Sequence, residues 1–194
     1  MSALSLPVVS MPYIFATELQ AADTAELQAF FDQNPEYFLQ CHGEPARDDE
    51  AATELKLNMP SDCDYKQQWM IGFVKEGEGL VAAVHVVQDL FADGVWHIGL
   101  FILETRRHGK GDAQLIYAAT EQWALNHGAR WLRLGAVKDN LRAMRFWGAQ
   151  GYCAVREREN VQMGLKKNTI TTMVKPLNIA TLTQYLERVE RDRT

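Results

Sequence analysis

Apolar positions along the chain come in short runs bounded by turn residues, and their spacing predicts mixed α/β structure. Val95, Ile98, Leu100, Phe101, Ile102 and Leu103 form a run rich in strand formers, with His97 and Gly99 set into it, as in a mostly buried strand. The run ends at Glu104 and Thr105. After the glycines that follow, Ile116, Ala119, Trp123 and Asn126 recur at spacings of three and four, predicting a helix that Gly128 stops. Upstream, residues 13–16 read as a first strand, and Asp23 and Thr24 offer caps to a helix carrying Ala25, Leu27, Phe30 and Phe31. Asn34-Pro35 ends that helix, and residues 36–41 read as a second, shorter one. Residues 69–74 and 80–87 flank a Gly-rich turn, and Asp93-Gly94 leads into the run at Val95, which makes a three-strand meander. Downstream, Trp131–Val137 reads as a strand, 140–150 as a helix, 152–158 and 169–174 as two closing strands. The tail at 181–193 reads as a helix packed on the body through Leu182, Tyr185, Leu186 and Val189.

Length and composition narrow the class. With 194 residues and 47% hydrophobic side chains, the chain suffices for one well-buried domain spanning 1–194. A net charge of -5 argues against nucleic acid as a partner, because neutralising phosphates takes a basic face. The three cysteines, Cys41, Cys63 and Cys153, show no metal-ligand spacing, so no metal site and a reducing, cytoplasmic setting are expected. The mildly apolar first ten residues lack the positive start of a secretory signal, and no 18-residue apolar stretch predicts a membrane span. Between 44 and 64, Glu44, Asp48, Asp49, Glu50, Glu54, Asp62 and Asp64 stand against only Arg47 and Lys56. Such a run is either a solvated surface or a device to attract a cationic amine.

The chemistry is densest between the central strand and its helix. Gly109, Gly111 and Ala113 alternate there with Arg106, Arg107, His108 and Lys110. A glycine turn that opens a helix leaves backbone N–H groups unpaired at the positive end of the helix dipole, which suits a phosphate or pyrophosphate. The alternative is a tight turn whose glycines only relieve strain. A dinucleotide fingerprint needs a further glycine two residues on and an acidic residue at the next strand end, where Arg130 to Arg133 stand instead; no Gly-Lys-Ser/Thr is present either.

From 101 to 152 the sequence resembles the acetyl-CoA-binding half of the GNAT superfamily of N-acetyltransferases, whose signature is Gln or Arg, two residues, Gly, one residue, then Gly or Ala. One register puts His108, Gly111 and Ala113 in those places; Arg106, Gly109 and Gly111 fit two residues earlier. The first also aligns Gly128, Asn140 and the Phe146-Trp147 pair with the superfamily's helix-ending Gly, its Asn and its Phe-Tyr. The resemblance implies an α/β fold with a mixed, mostly antiparallel, twisted sheet of about six or seven strands, flanking helices, and a parallel pair splayed at the CoA site. It implies that acetyl-CoA is held at His108, Gly109, Lys110, Gly111, Asp112 and Ala113, the backbone of 109 to 113 taking the pyrophosphate. Phe101 and Leu103 would pair through their backbones with the pantetheine arm. Asn140 would bond the same arm, or cap its own helix, and Trp147 would line the site. The acceptor side would fall to residues 13–72.

Moving an acetyl group from a thioester to an amine requires the amine neutral, and with a pKa near 10 about one molecule in 10³ qualifies at pH 7, a cost on the order of 4 kcal/mol. By the two-residue period His97 shares a face with Gly99, Phe101 and Leu103 and is the first candidate base; Glu104 is the second, and His85 a weaker one. The superfamily's usual general acid is the Tyr that Trp147 replaces, and an indole cannot give up its proton near neutral pH. Tyr117 and Tyr152 are candidates to replace it, and Cys153 reads as a buried small residue. The expected activity is acetyl-CoA-dependent N-acetylation of an amine by a monomer or homodimer; the alternative is a CoA-binding sensor without turnover.

Overall fold

The computed structural model describes residues 5–56, 59 and 63–193, so Asp62 of the acidic run and the first four residues lie outside the described part. Seven strands form one sheet: β1 (Ile14–Glu18), β2 (Gln67–Lys75), β3 (Gly79–Gln88), β4 (Val95–Leu103), β5 (Trp131–Val137), β6 (Cys153–Met163) and β7 (Lys166–Pro176). Their spatial order is β1-β2-β3-β4-β5-β7-β6, antiparallel throughout except for the parallel pair β4–β5. The expected mixed sheet is therefore present. Among the described residues six α-helices flank it: α1 (Thr24–Gln33), α2 (Glu36–Cys41), α3 (Glu50–Leu55), α4 (Asp112–Asn126), α5 (Leu141–Ala149) and α6 (Leu182–Arg188). Among the described residues no helix is long and apolar enough to cross a membrane.

Both faces of the sheet are covered, which is why its central strands lack a simple alternation. On one face α4 and α5 bring Ile116, Trp123 and Trp147 onto Ile71, Val84 and Leu134. Trp69 and Trp96 stack there at 5.7 Å, with the Trp123 ring edge-on to both. On the other face Leu27, Phe31, Phe38 and Ala51, from α1 to α3, cover Met70, Leu100 and Ile102. Tyr185 and Val189 cover Val95, Trp131 and Val174 on that same face. The acidic run thus contains α3, anchored by the buried Ala51.

Two features of β4 create the site. Opposite β3, His85 pairs with Leu100 and Val86 with Ile98, so Gly99 is an extra residue, a bulge. A Cβ on Gly99 would meet His85 Nδ1 at 2.5 Å, so no other residue fits there without displacing that ring. The bulge also reverses the alternation: Trp96 and Ile98 face α4 before it, Phe101 and Leu103 after it, while Leu100 and Ile102 face α1. His97 therefore lies on the opposite face from Phe101 and Leu103, contrary to the two-residue expectation. Second, β4 pairs with β5 only from Val95 with Trp131 to Ile98 with Leu134; beyond that, Gly135 to Val137 continue along β7 and the two parallel strands part.

Candidate active site

The gap where β4 leaves β5 opens into a cleft of about 990 Å³ that runs through the sheet. His108, Gly109 and Ala113 line one end, Phe101, Leu134 and Trp147 the waist, and Tyr37, His97, Arg133 and Arg158 the other end. That volume suits a ligand with an extended arm.

At the first end, Gly109 and Gly111 adopt φ of +74° and +88°, in the left-handed region that favours glycine, and nothing lies within 4 Å of a Cβ built at either. Gly111 caps the 15-residue α4 without any side-chain hydrogen bond. None of the backbone N–H groups of 109 to 113 donates to another group among the described residues. Five consecutive free donors at the start of a long helix are what a pyrophosphate needs. Lys110, Gly111 and Asp112 belong to this turn but do not line the cleft wall.

The cations beside the turn are differently employed than their sequence implies. Arg107 bonds Glu104 at 3.0 Å, Asp112 at 3.1 Å and Glu78 at 2.6 Å, and Arg106 bonds Glu104 at 2.5 Å and Glu78 at 3.1 Å. Three carboxylates thus satisfy both guanidinium groups, leaving Lys110 as the unpaired cation of the turn among the described residues. Glu104, a candidate base, has each oxygen on an arginine and no part in the cleft lining, because the strand ends at Leu103 and the chain turns away. His108 donates through Nε2 to the Leu103 carbonyl at 3.0 Å. That carbonyl, expected to meet the pantetheine arm, is engaged within the protein.

Around the waist, Phe101 and Phe146 stack at 5.9 Å and Trp147 meets Phe101 edge-on at 5.5 Å. Asn140 lines the cleft, and its side-chain oxygen accepts from the Ala143 N–H at 3.1 Å, capping α5. Tyr117 and Tyr152 lie behind the Trp147 ring, outside the cleft lining, and burial first of all pushes both hydroxyls far above their ordinary range. Tyr117 bonds Glu121, which also holds Lys175. Neither is placed to act as the missing acid. Cys153 is exposed rather than buried, since β6 is the outermost strand. Cys41 lines the cleft, its thiol raised by burial to about 11 and so kept protonated.

The far end is built from distant segments. Arg133 on β5 makes a two-point ion pair with Asp192, at 2.7 and 3.0 Å, and Tyr185 donates to the same carboxylate. Another Arg133 nitrogen lies 3.3 Å from His97 Nδ1. Guanidinium only donates, so Nδ1 is the acceptor and the neutral ring carries its proton on Nε2. Burial, followed by the Arg133 charge, holds His97 well below its ordinary 6.5. A neutral imidazole with its basic nitrogen engaged is a poor general base, so the geometry argues against the role first assigned to it. His85 bonds Gln68 at 3.1 Å, is pushed by burial down to about 4, and lies outside the cleft lining. Among the described residues the acidic run contributes nothing to the lining; Glu50, for instance, is turned inward onto Arg47 at 2.8 Å. The residues the sequence did not single out are Arg133, Arg158 and Tyr37. Arg133 left a signal: a charge inside an otherwise apolar strand.

Residues 20–152 match the sequence model of the acetyltransferase (GNAT) family, and the chain belongs to that family, whose members are acyltransferases that use acetyl-CoA. Solved structures agree in fold. An acetyltransferase from Thermus thermophilus superposes with a TM-score of 0.65 at 18% identity, over 88% of this chain and 100% of the other. A spermidine N-acetyltransferase from Vibrio cholerae, in complex with CoA and spermine, gives 0.65 at 12% identity over 86% and 96%. The ribosomal-protein-S18-alanine N-acetyltransferase from Escherichia coli gives 0.61 at 13% identity over 87% and 97%. No curated protein matches the chain in sequence.

Proposed function

We propose that this protein is an acetyl-CoA-dependent N-acetyltransferase that passes the acetyl group directly to a primary amine. The observation that carries the reading is a single cleft that runs from Gly109 and Ala113, in a turn of five amides unpaired among the described residues, through the gap between β4 and β5 to the residues around His97 and Arg133. Acetyl-CoA supplies an activated thioester: the N–C bond forms as C–S breaks, and the proton lost by nitrogen ends on sulfur. Amides 109 to 113 hold the pyrophosphate, and the unpaired edge of β4 beyond Ile98 receives the pantetheine arm, with Phe101 rather than Leu103 offering its carbonyl. Phe101, Leu134 and Ala136 form apolar walls at the waist that favour the uncharged amine and so offset part of the roughly 4 kcal/mol deprotonation cost. His97 orients and donates through Nε2 rather than abstracting a proton. The transfer is direct, with no acyl-enzyme, and burial keeps the Cys41 thiol in the cleft protonated and a poor nucleophile.

Incubating the protein with acetyl-CoA and a panel of amines, while following free thiol, tests this. Amine-dependent thiol release, matched by acetylated product, is expected. Tight CoA binding with no amine-dependent release would overturn the transfer reading in favour of a CoA-binding sensor.

A further inference from the structure

Charge at the two ends of the cleft differs in what remains unneutralised. At the far end Arg133 is satisfied by Asp192. Arg158, on β6, also lines the cleft but makes no hydrogen bond, ion pair or ring contact among the described residues. Its backbone pairs with Ile170, which in turn pairs with Val137 of β5, so Arg158 shares the face of Val137, which also lines the cleft. Just beyond it the ladder is irregular, from Arg158 to Val161, and Asn160 takes a positive φ of 57°, bending β6 at this point.

The surroundings add positive charge. Partial desolvation, then the Arg133 charge, makes the Arg158 cation less favourable than usual; Asp192 opposes that, and Arg156 and Arg191 add to it. Arg156 donates to the Arg191 carbonyl. Asp192 is already bonded by Arg133 and Tyr185. Among the described residues the acids lining the cleft are Glu36, which bonds Arg142 at 2.9 Å, and Asp139, just before the Asn140 cap of α5. A polyamine acceptor would therefore meet guanidinium groups where it needs carboxylates.

Resting on the transfer reading above, we infer that the acceptor is an amine bearing a carboxylate, which the unpaired Arg158 guanidinium receives at the far end of the cleft. One unpaired planar fork matches one carboxylate through two parallel hydrogen bonds. The amino group of such a molecule then points back toward the gap between β4 and β5, where the thioester arrives. Arg158 is a specificity residue in this scheme and takes no part in bond making.

Acceptor pairs that differ only in charge test it: β-alanine, 4-aminobutyrate and L-amino acids against the corresponding amides, with O-phosphoethanolamine and spermidine alongside. At least one carboxylate is expected to exceed its amide at least tenfold in kcat/KM. Arg158→Gln should raise KM for that carboxylate tenfold or more with kcat unchanged, leave the amide within about twofold, and leave CoA affinity unchanged. Arg158→Lys should restore part of the loss. Equal or better use of amides, spermidine or O-phosphoethanolamine, or equal losses for acid and amide in Arg158→Gln, would overturn the inference while leaving acetyl transfer standing. Titration calorimetry of the same amino acids into CoA-saturated protein separates the two claims. Carboxylate binding lost in Arg158→Gln, without turnover, supports this site and refutes the transfer step; no carboxylate-selective binding refutes the site.

Discussion

The two ends of the cleft are built on opposite principles. The glycine-turn end uses main-chain N–H groups from five consecutive residues, supplied by local conformation alone. The far end uses side chains from α2, β4, β5 and β6, of which the buried Arg133 is held by Asp192, 59 residues further along the chain. The first is cheap to specify and indifferent to most side chains; the second depends on topology and on a buried ion pair. On the proposed function, cofactor binding and acceptor choice can therefore be perturbed separately.

The largest expected effect falls on the far end. Asp192 is 1% exposed, and Asp192→Asn leaves Arg133 charged, buried and half-paired, at a cost of about 3 kcal/mol of stability. CoA affinity should stay within about twofold, because the amide turn is untouched. Burial raises the Asp192 carboxyl, but the Arg133 hydrogen bond and charge, with the Tyr185 hydroxyl, outweigh it and leave the group below its ordinary 3.8. A depressed carboxyl contributes stability that is present above its unfolded value and lost as pH falls through the folded one. The stability difference between wild type and Asp192→Asn should accordingly be full at neutral pH and shrink below about pH 4. Urea midpoints across pH measure it, and a large drop in CoA affinity would show that the two ends are not independent.

The second effect falls on the other end. Gly111→Glu places an L side chain at φ +88°, costing about 1–2 kcal/mol, and sets a carboxylate beside the proposed pyrophosphate site. CoA affinity should fall about 100-fold, and Gly111→Ala, which carries the conformational cost alone, about tenfold. Calorimetry with CoA decides; unchanged affinity in Gly111→Glu would remove the basis for the whole site. Stability should drop by no more than that conformational cost, less than in Asp192→Asn, since nothing lies within 4 Å of a Cβ built at this glycine.

The same contrast explains what the sequence revealed. β4, β5 and α2 have the residue bounds their patterns predict, because turn residues bracket each run. The glycine turn was legible as a turn because local residue types set it: Gly109 and Gly111 take positive φ and α4 starts at once after them. The outer parts of β6 and β7, by contrast, extend to Met163 and back from Lys166, well past the residues read as strand. Glu159, Asn160 and Lys167 are exposed there, so no buried face imposes a period. The bulge at Gly99 was illegible for another reason: a single inserted residue leaves composition unchanged but moves His97 to the opposite face. Arg133 was readable as an anomaly inside an apolar strand, whereas its partner 59 residues away was not. Likewise Glu104 reads as a candidate base until Arg106 and Arg107 are seen to hold it.

The smallest effect discriminates most finely, because it asks whether the amide turn relies on side-chain charge at all. Arg106 is the most prominent cation of the motif in sequence, yet it is bonded to Glu104 and Glu78 and its side chain is 62% exposed. Its charge is already opposed by neighbouring carboxylates, so at the pyrophosphate the pair looks nearly neutral and solvent screens the remainder. Arg106→Ala should therefore change CoA affinity less than about twofold. Lys110, exposed and unpaired among the described residues, should matter slightly more: Lys110→Ala is expected to weaken CoA about threefold, with the loss shrinking as salt is raised. Measuring CoA affinity for both variants at low and high salt tests the ordering. If Arg106→Ala proved the more damaging and the more salt-sensitive, the arginine would have to leave its carboxylates for the phosphates on binding. The turn would then be a switch of ion pairs rather than a cradle of amides, and the contrast between a backbone-built end and a side-chain-built end would fail.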